Sequence, residues 1–242
     1  MKVHVSGLRH PRATMPPMEE AAPAARRYRG VTAAERTAQR RERLLDAGLE
    51  LFGTEGYAGS SIRAISLAAE LNSRYFYESF TSREDLLYHV YLRIVTDLSA
   101  RATEAVMEEH TIEDQARAGL RAGWVALTED PRKARIVALE VVGVSDRIED
   151  LRRATRHALA DLTATRALSV ASSDIRLRLD PVLTSRFLVG GVVEVLVEWI
   201  HGYVQLPVDD LIEHFTRLFT AAAYAAVAED EPADRSRGSS SD

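Results

Sequence analysis

The stretch that decides the fold runs from Arg41 to Leu87 and reads RERLLDAGLELFGTEGYAGSSIRAISLAAELNSRYFYESFTSREDLL. Its apolar residues recur at helical spacing as far as Phe52, and Gly53 and Gly56 then predict the end of a first helix. Small polar residues stand where the next helices should begin, at Ser60 or Ser61, at Asn72 or Ser73, and at Ser82. The stretch therefore predicts three helices and the start of a fourth.

The third of these helices, from Arg74 to about Ser79, is too short to be stable on its own. We expect Phe76 and Phe80 to anchor it to the core, which leaves its N-terminal residues pointing outward. In a recognition helix these residues meet base edges in the major groove, and an arginine there can donate two hydrogen bonds to guanine. We therefore predict a helix-turn-helix motif at about 61–80 that reads DNA. The alternative is a helical bundle without a nucleic-acid role, in which Arg74 is a solvated surface charge.

Four short motifs carry a resemblance to a known family: Phe52, Gly56-Tyr57, Ser61-Ile62-x-x-Ile65 and Tyr77-x-x-Phe80-x-x-Arg83-Glu84. Together they resemble the TetR family of bacterial transcriptional regulators over the first helical domain. The resemblance implies an all-α homodimer whose N-terminal three-helix domain binds a two-fold operator. It also implies a larger C-terminal helical domain that dimerises and senses a small molecule. The DNA-contact positions of the family fall on Ser61, Arg63, Asn72, Ser73, Arg74, Tyr75, Tyr77 and Arg83.

Two residues depart from the usual pattern of that family. Glu70 stands where the turn usually has a glycine, and Arg74 stands where the reader helix usually has a small residue. The second departure predicts that this chain reads DNA with an arginine and a tyrosine, Arg74 and Tyr75.

Charge is distributed unevenly along the chain, whose net charge is −5. Residues 1–83 carry 13 Lys or Arg against 9 Asp or Glu, whereas residues 84–242 carry 18 against 27. This asymmetry is expected when one domain meets phosphate and the other does not. Cysteine is absent, which excludes disulfides and thiolate catalysis by this chain. Its longest apolar run, 187–200, is too short to span a membrane and the N-terminus lacks a signal-peptide core, so we expect a cytoplasmic protein.

The chain divides into four regions by composition and pattern. We expect a disordered basic tail at 1–31, a DNA-binding domain at 32–82, a ligand-binding and dimerisation domain at 83–228, and a disordered tail at 229–242. The basic tail is either a leader without function or an arm that follows the phosphates. Beyond Arg83 we predict helices near 83–108, 112–128, 131–144, 147–171, 180–203 and 208–228.

The last two predicted helices are the candidates for a dimer interface. The segment 186–200 is apolar on more than one face, so it can meet its own domain and a second copy at the same time. The alternative is that these faces form only the core of one subunit. The residues we assign to the interface are Val192, Val195, Leu196, Trp199, Phe215 and Phe219.

The ligand site is expected among the middle helices, about 83–171, where relatives have theirs. Pockets for small molecules are mostly apolar with a few polar groups. The candidates are Tyr91, Met107, Trp124 and Glu140, of which Glu140 is either a buried acid in the site or a solvent-facing residue.

No motif of a hydrolase, a nucleotide-binding loop or a metal site occurs, so we expect neither an enzyme nor a metal or cofactor. Three functional hypotheses remain. The first is a ligand-responsive regulator, a repressor rather than an activator, released from a palindromic operator by a small molecule. The second is a DNA-binding regulator controlled by a protein partner. The third is a helical binding protein that does not bind DNA.

Overall fold

The computed structural model describes residues 32–168 and 179–227, and within these ranges it contains only helices and the turns that join them. The predicted tails at 1–31 and 229–242, and the predicted end of a helix at 171, lie outside the described residues. Among the helices described, none is long and apolar enough to cross a membrane.

Four helices form the N-terminal part: α1 (Ala33–Thr54), α2 (Gly56–Gly59), α3 (Ile62–Ala68) and α4 (Ser73–Ser79). The side chain of Ser61 caps α3 by accepting from the amide of Ala64, and that of Asn72 caps α4 by accepting from the amide of Arg74. The predicted caps are therefore confirmed. The one-turn helix α2 was not expected from the sequence.

The core of this part is built around Phe76 of α4 and Phe80, the residue that follows the helix. Phe76 and Phe80 are 0% and 1% exposed, and their rings lie 5.9 Å apart. They pack in one cluster with Leu44 and Phe52 of α1 and Ile65 of α3. The prediction that these two rings anchor a short helix is confirmed. Their burial determines which face of α4 is exposed to solvent.

Glu70 occupies the turn between α3 and α4 with a φ of 53°. This left-handed conformation costs an L-residue with a side chain about 1–2 kcal/mol relative to glycine. The carboxylate of Glu70 accepts a hydrogen bond from Arg43 at 2.8 Å, but both groups are well exposed and such pairs contribute little. The departure from the family's glycine therefore leaves the turn intact but strained.

We expect the Glu70→Gly substitution to stabilise the protein by about 0.5–1 kcal/mol, because the relief of strain exceeds the added chain entropy and the lost surface pair. Chemical denaturation measures this directly. Glu70→Ala is the matched control, since it loses the pair but keeps the strain and should not stabilise. Equal losses of stability in both variants would contradict this explanation of the turn.

In the C-terminal part, the described residues form six further helices and one π-helical segment: α5 (Arg83–Met107), α6 (Ile112–Thr128), α7 (Pro131–Arg135), the π-helical segment Ile136–Glu140, α8 (Asp146–Leu168), α9 (Pro181–Ile200) and α10 (Val208–Val227). Asp130 and Asp180 cap helices that begin with a proline, as predicted. The all-α fold class, with a larger helical domain after the helix-turn-helix part, is confirmed.

One local prediction was wrong. A single helix over 131–144 is replaced by α7 and the π-helical segment, and the chain then turns at Gly143 with a φ of 69°. The predicted end of the first helix at Gly53 and Gly56 is confirmed, since α1 ends at Thr54 and Gly56 has a φ of 81°. At Gly53 an added Cβ would overlap the Cβ of Arg132. Its lack of a side chain therefore allows α7 to pack closely on α1.

Candidate functional site

The N-terminus of α4 presents Arg74 to solvent. The side chain of Arg74 is 85% exposed, and its nearest charged partner is Glu78, whose carboxylate lies 3.5 Å from its Nε. An ion pair this exposed contributes little free energy, so the guanidinium can leave Glu78 for a stronger partner at small cost. Arg74 is thus positioned for contact with another molecule.

Tyr75 lies beside Arg74 and is half-buried under an arginine from another helix. The guanidinium of Arg40, in α1, stands 4.6 Å from the centre of the Tyr75 ring. Tyr77 is 63% exposed on the same short helix. Arg40 was not predicted as part of this surface, although the Arg40-Arg41 pair in the sequence was a possible signal. The exposed surface around Arg74 therefore consists of the N-terminus of α4 and the adjoining side of α1.

Most of the other residues carried over from the family lie on exposed positions around this helix. Ser61 and Asn72 are exposed N-caps, Arg63 is exposed on the first turn of α3, and Ser73 is half-buried at the start of α4. The N-termini of α3 and α4 are thus both open at one surface, where their amides can donate to an anion.

Arg83 is engaged within the protein rather than free. It donates to the backbone carbonyl of Ser60, and its guanidinium stands 4.1 Å from the centre of the Tyr57 ring. These contacts tie the first residue of α5 to the segment just before α3. A phosphate contact by Arg83 would use only its remaining N–H groups.

A cavity of about 240 Å³ lies in the C-terminal part, enclosed by α5, α6, the π-helical segment, α8, α9 and α10. Its lining is predominantly apolar, and Tyr91 and Trp124, both named from the sequence, belong to it. Met107 and Glu140 were placed wrongly. Met107 lies outside the cavity with 70% of its surface exposed, and Glu140 points instead toward the N-terminal part.

Glu140 joins the two parts of the molecule. Its carboxylate accepts from the backbone amide of Tyr57 at 2.7 Å and from Nε of Arg135 at 2.9 Å. Arg135 in turn donates to the carbonyl of Thr54 at 2.8 Å. The last residue of the π-helical segment thus holds the beginning of α2, and sequence reasoning missed this because the partners are 83 residues apart.

The predicted interface residues are buried or half-buried in the subunit. Leu196 and Phe215 are 3% and 4% exposed in the subunit's own core, and Trp199 packs edge-on against Trp124 with ring centres 5.9 Å apart. Val192 and Phe219 line the cavity, and Val195 packs against the core. The assignments of Leu196 and Phe215 are corrected, because both side chains are buried in the subunit's own core. The other four residues are half-buried, and their assignment to an interface stays a prediction.

The outward faces of α9 and α10 carry a different set of apolar residues. Leu183 and Phe187 are 69% and 79% exposed, and the adjoining positions Gly190 and Gly191 on α9 are also exposed. On α10, Leu218 and Tyr224 are 48% and 60% exposed. We call Leu183, Phe187, Gly190, Gly191, Leu218 and Tyr224 the outer face. Large apolar groups spaced along two neighbouring helices are typical of a surface that another protein covers.

The fold and these surfaces define an all-helical protein with an N-terminal helix-turn-helix and a helical domain that contains a cavity. Residues 44–90 match the family model of bacterial regulatory proteins, tetR family. They form a TetR-type DNA-binding domain, and the resemblance carried by the sequence motifs is confirmed. No curated protein matches the sequence.

Several solved structures share the fold over most of their length. The transcriptional regulator FadR from Bacillus subtilis in complex with stearoyl-CoA is 18% identical, with a TM-score of 0.67 over 75% of this chain and 98% of that one. A putative TetR-family transcriptional regulator from Syntrophomonas wolfei is 18% identical, with a TM-score of 0.65 over 77% and 96%. AibR in complex with isovaleryl coenzyme A and operator DNA is 18% identical, with a TM-score of 0.58 over 74% and 98%. At these identities the likeness establishes the common fold.

Proposed function

We propose that this protein is a ligand-responsive transcriptional regulator that represses from a two-fold operator and is released by a small molecule. The observation that carries the proposal is the open N-terminus of α4, where Arg74 is 85% exposed beside Tyr75. Phe76 and Phe80 hold that helix in place from the other side. This arrangement suits base reading in a major groove.

A homodimer follows from the geometry of reading. Two recognition helices must stand about 34–36 Å apart to occupy successive major grooves, and one copy of this chain supplies only one. The outer face is the surface we assign to the second copy. Its glycines would let two α9 helices approach closely, and Phe187 is the largest apolar side chain available to be buried there.

The cavity supports control by a small molecule rather than by a protein partner. Two proteins of the same fold are described in complex with acyl thioesters, stearoyl-CoA for FadR and isovaleryl coenzyme A for AibR. The predominantly apolar lining here suits the acyl part of such a molecule. We therefore propose acyl thioesters as the first class of ligand to test.

The π-helical segment supplies a route from the cavity to the reader. Val137 lines the cavity, and Glu140, three residues later in the same segment, holds the amide of Tyr57. The ring of Tyr57 in turn contacts the guanidinium of Arg83, which donates a hydrogen bond to the backbone carbonyl of Ser60, just before α3. π-Helical segments often occur at functional sites. A ligand that displaces Val137 would therefore move α3 and α4, provided that it binds the two arrangements with different affinity.

The Glu140→Gln substitution should weaken this coupling without weakening ligand binding. Tyr57 and Arg135 donate to different oxygens of the Glu140 carboxylate, and glutamine replaces one of these oxygens with an NH2 group. One of the two donors therefore loses its acceptor, and the segment holds α2 less firmly. Allosteric coupling is usually about 1–3 kcal/mol, and we expect most of it to be lost. Operator affinity measured by fluorescence anisotropy, with and without saturating decanoyl-CoA, gives the coupling directly.

Glu113→Gln is the matched control, because Glu113 pairs with Arg117 inside α6 and does not link the two parts. It should leave the coupling unchanged. A Glu140→Gln protein that releases its operator as fully as the wild type would exclude the π-helical route. Loss of ligand binding by that variant would exclude it as well, since Glu140 lies outside the cavity.

A further inference from the structure

One face of α8 supplies three arginines and two threonines to the lining of the cavity. Arg152, Thr155, Arg156, Thr163 and Arg166 line it at helical spacing, whereas α5 and α9 contribute mainly apolar side chains. Among the described residues that line the cavity, none is acidic. A cavity that is otherwise apolar therefore has a positively charged side.

Arg156 differs from its neighbour in having no fixed partner. Arg152 donates to Glu149 at 2.7 Å, and the same carboxylate accepts from the amide of Gly143 at 2.8 Å. The hydrogen bond from Gly143 and the charges of Arg152 and Arg156 lower the pKa of Glu149. The Glu149 carboxylate nevertheless accepts its hydrogen bonds from Gly143 and Arg152, not from Arg156. Among the described residues, Arg156 makes no hydrogen bond or ion pair. A half-buried guanidinium with unused donors is ready to bind an anion.

Two further donors lie on the same cavity. Tyr91 is 3% exposed, and burial raises the pKa of its hydroxyl, opposed by a hydrogen bond with Thr155 and by the charges of Arg152 and Arg156. The hydroxyl therefore keeps its proton, and an anion would compete with Thr155 for it. Nε1 of Trp124 is buried without a hydrogen-bond partner among the described residues. A buried donor left unpaired is costly, which favours an acceptor brought by a ligand.

We propose that the cavity binds an apolar chain that ends in an anionic group, a carboxylate or a phosphate, with the anion held by Arg156 and Tyr91. The inference rests on the proposed ligand-responsive function and adds the chemistry of the ligand's polar end. Arg156 is near enough to Tyr91 for its charge to act on the pKa of the hydroxyl, and both residues line the same cavity, so one anion can contact both.

The test measures binding of three ten-carbon probes to the full-length protein by calorimetry: decanoate, decanoyl-CoA and decanol. Trp124 and Trp199, the two tryptophans of the chain, lie at or beside the cavity, so their fluorescence gives an independent signal. Each probe is measured with the wild type, Arg156→Gln, Arg156→Lys and the control Arg153→Gln. Arg153 lies on the exposed side of α8, where it pairs with Asp150 at 3.0 Å.

We expect at least one anionic probe to bind the wild type about 10-fold or more tightly than decanol, as a charged hydrogen bond allows. Arg156→Gln should remove this preference, Arg156→Lys should keep part of it, and Arg153→Gln should keep all of it. A preference for decanoate assigns the anion to a carboxylate. A preference for decanoyl-CoA alone assigns it to a phosphate of the coenzyme.

Three results would overturn the inference: decanol binding as tightly as both anions, an unchanged preference in Arg156→Gln, or no binding of any probe. The unfolding midpoint of each ligand-free variant shows whether the fold is intact. Operator binding is measured separately on the same proteins. If the protein binds its operator but none of the probes, the DNA-reading proposal still holds and only the ligand proposal fails. If it binds a probe but no operator, only the DNA-reading proposal fails.

Discussion

The Phe187→Asp substitution should convert the protein from a dimer to a monomer at micromolar concentration. Phe187 is 79% exposed on the outer face and would be buried in the dimer we propose. Each of the two copies loses about 1.5 kcal/mol or more of apolar burial and gains an unpaired charge, so the dissociation constant should rise at least about 100-fold. Light scattering coupled to gel filtration gives the mass.

Met107→Asp is the matched control for this substitution. Met107 is similarly exposed, at 70%, but lies at the end of α5 and outside the outer face. It should leave the mass of a dimer unchanged. A Phe187→Asp protein that remains dimeric would show that the two copies, if they pair, use a different surface.

The second large effect is expected at the reader helix. Arg74→Ala should weaken binding to the specific operator by about 1–3 kcal/mol and relax the preference at one base position in each half-site. Tyr75→Ala should cost a comparable amount, because the ring also positions Arg40. Both substitutions leave Phe76 and Phe80 in place, so the fold should persist. Anisotropy titrations against the operator and against single-base variants separate affinity from specificity.

The control for the reader variants is Arg153→Ala, which removes an exposed arginine from α8 without touching the N-terminal part. It should bind the operator as the wild type does. If Arg74→Ala and Tyr75→Ala both kept full affinity and full preference, these residues would not be the readers, and Arg63 and Tyr77 would be the next to test. If a variant lost the same affinity for every DNA sequence, and its affinity depended less steeply on salt concentration, the residue would contact phosphate rather than a base.

The reader could be predicted from sequence because its signals are local. Asn72 directly precedes α4 and caps it, and Phe76 and Phe80 are both buried at a spacing of four residues. These relations are contained in one short stretch, so the periodicity and the cap decide them together. The family motifs add the role of this stretch but are not needed for its geometry.

The ligand and dimer residues could not be assigned in the same way. Trp199 and Phe187 lie on one helix that is apolar nearly all round, so its pattern does not say which face meets the subunit's own core. The pairing of Glu140 with Tyr57 depends on the π-helical segment, whose extra residue per turn changes the direction in which Glu140 points. Both features are set by packing between distant parts of the chain.

The proposed function requires sequence-specific reading of DNA by a pair of α4 helices, and selection of bound sites from random duplex DNA by the purified protein tests this requirement. We expect an enriched two-fold motif whose half-sites have a fixed spacing, recovered by the wild type and lost or relaxed in Arg74→Ala. Weak, salt-sensitive binding without any enriched motif would contradict the proposed function.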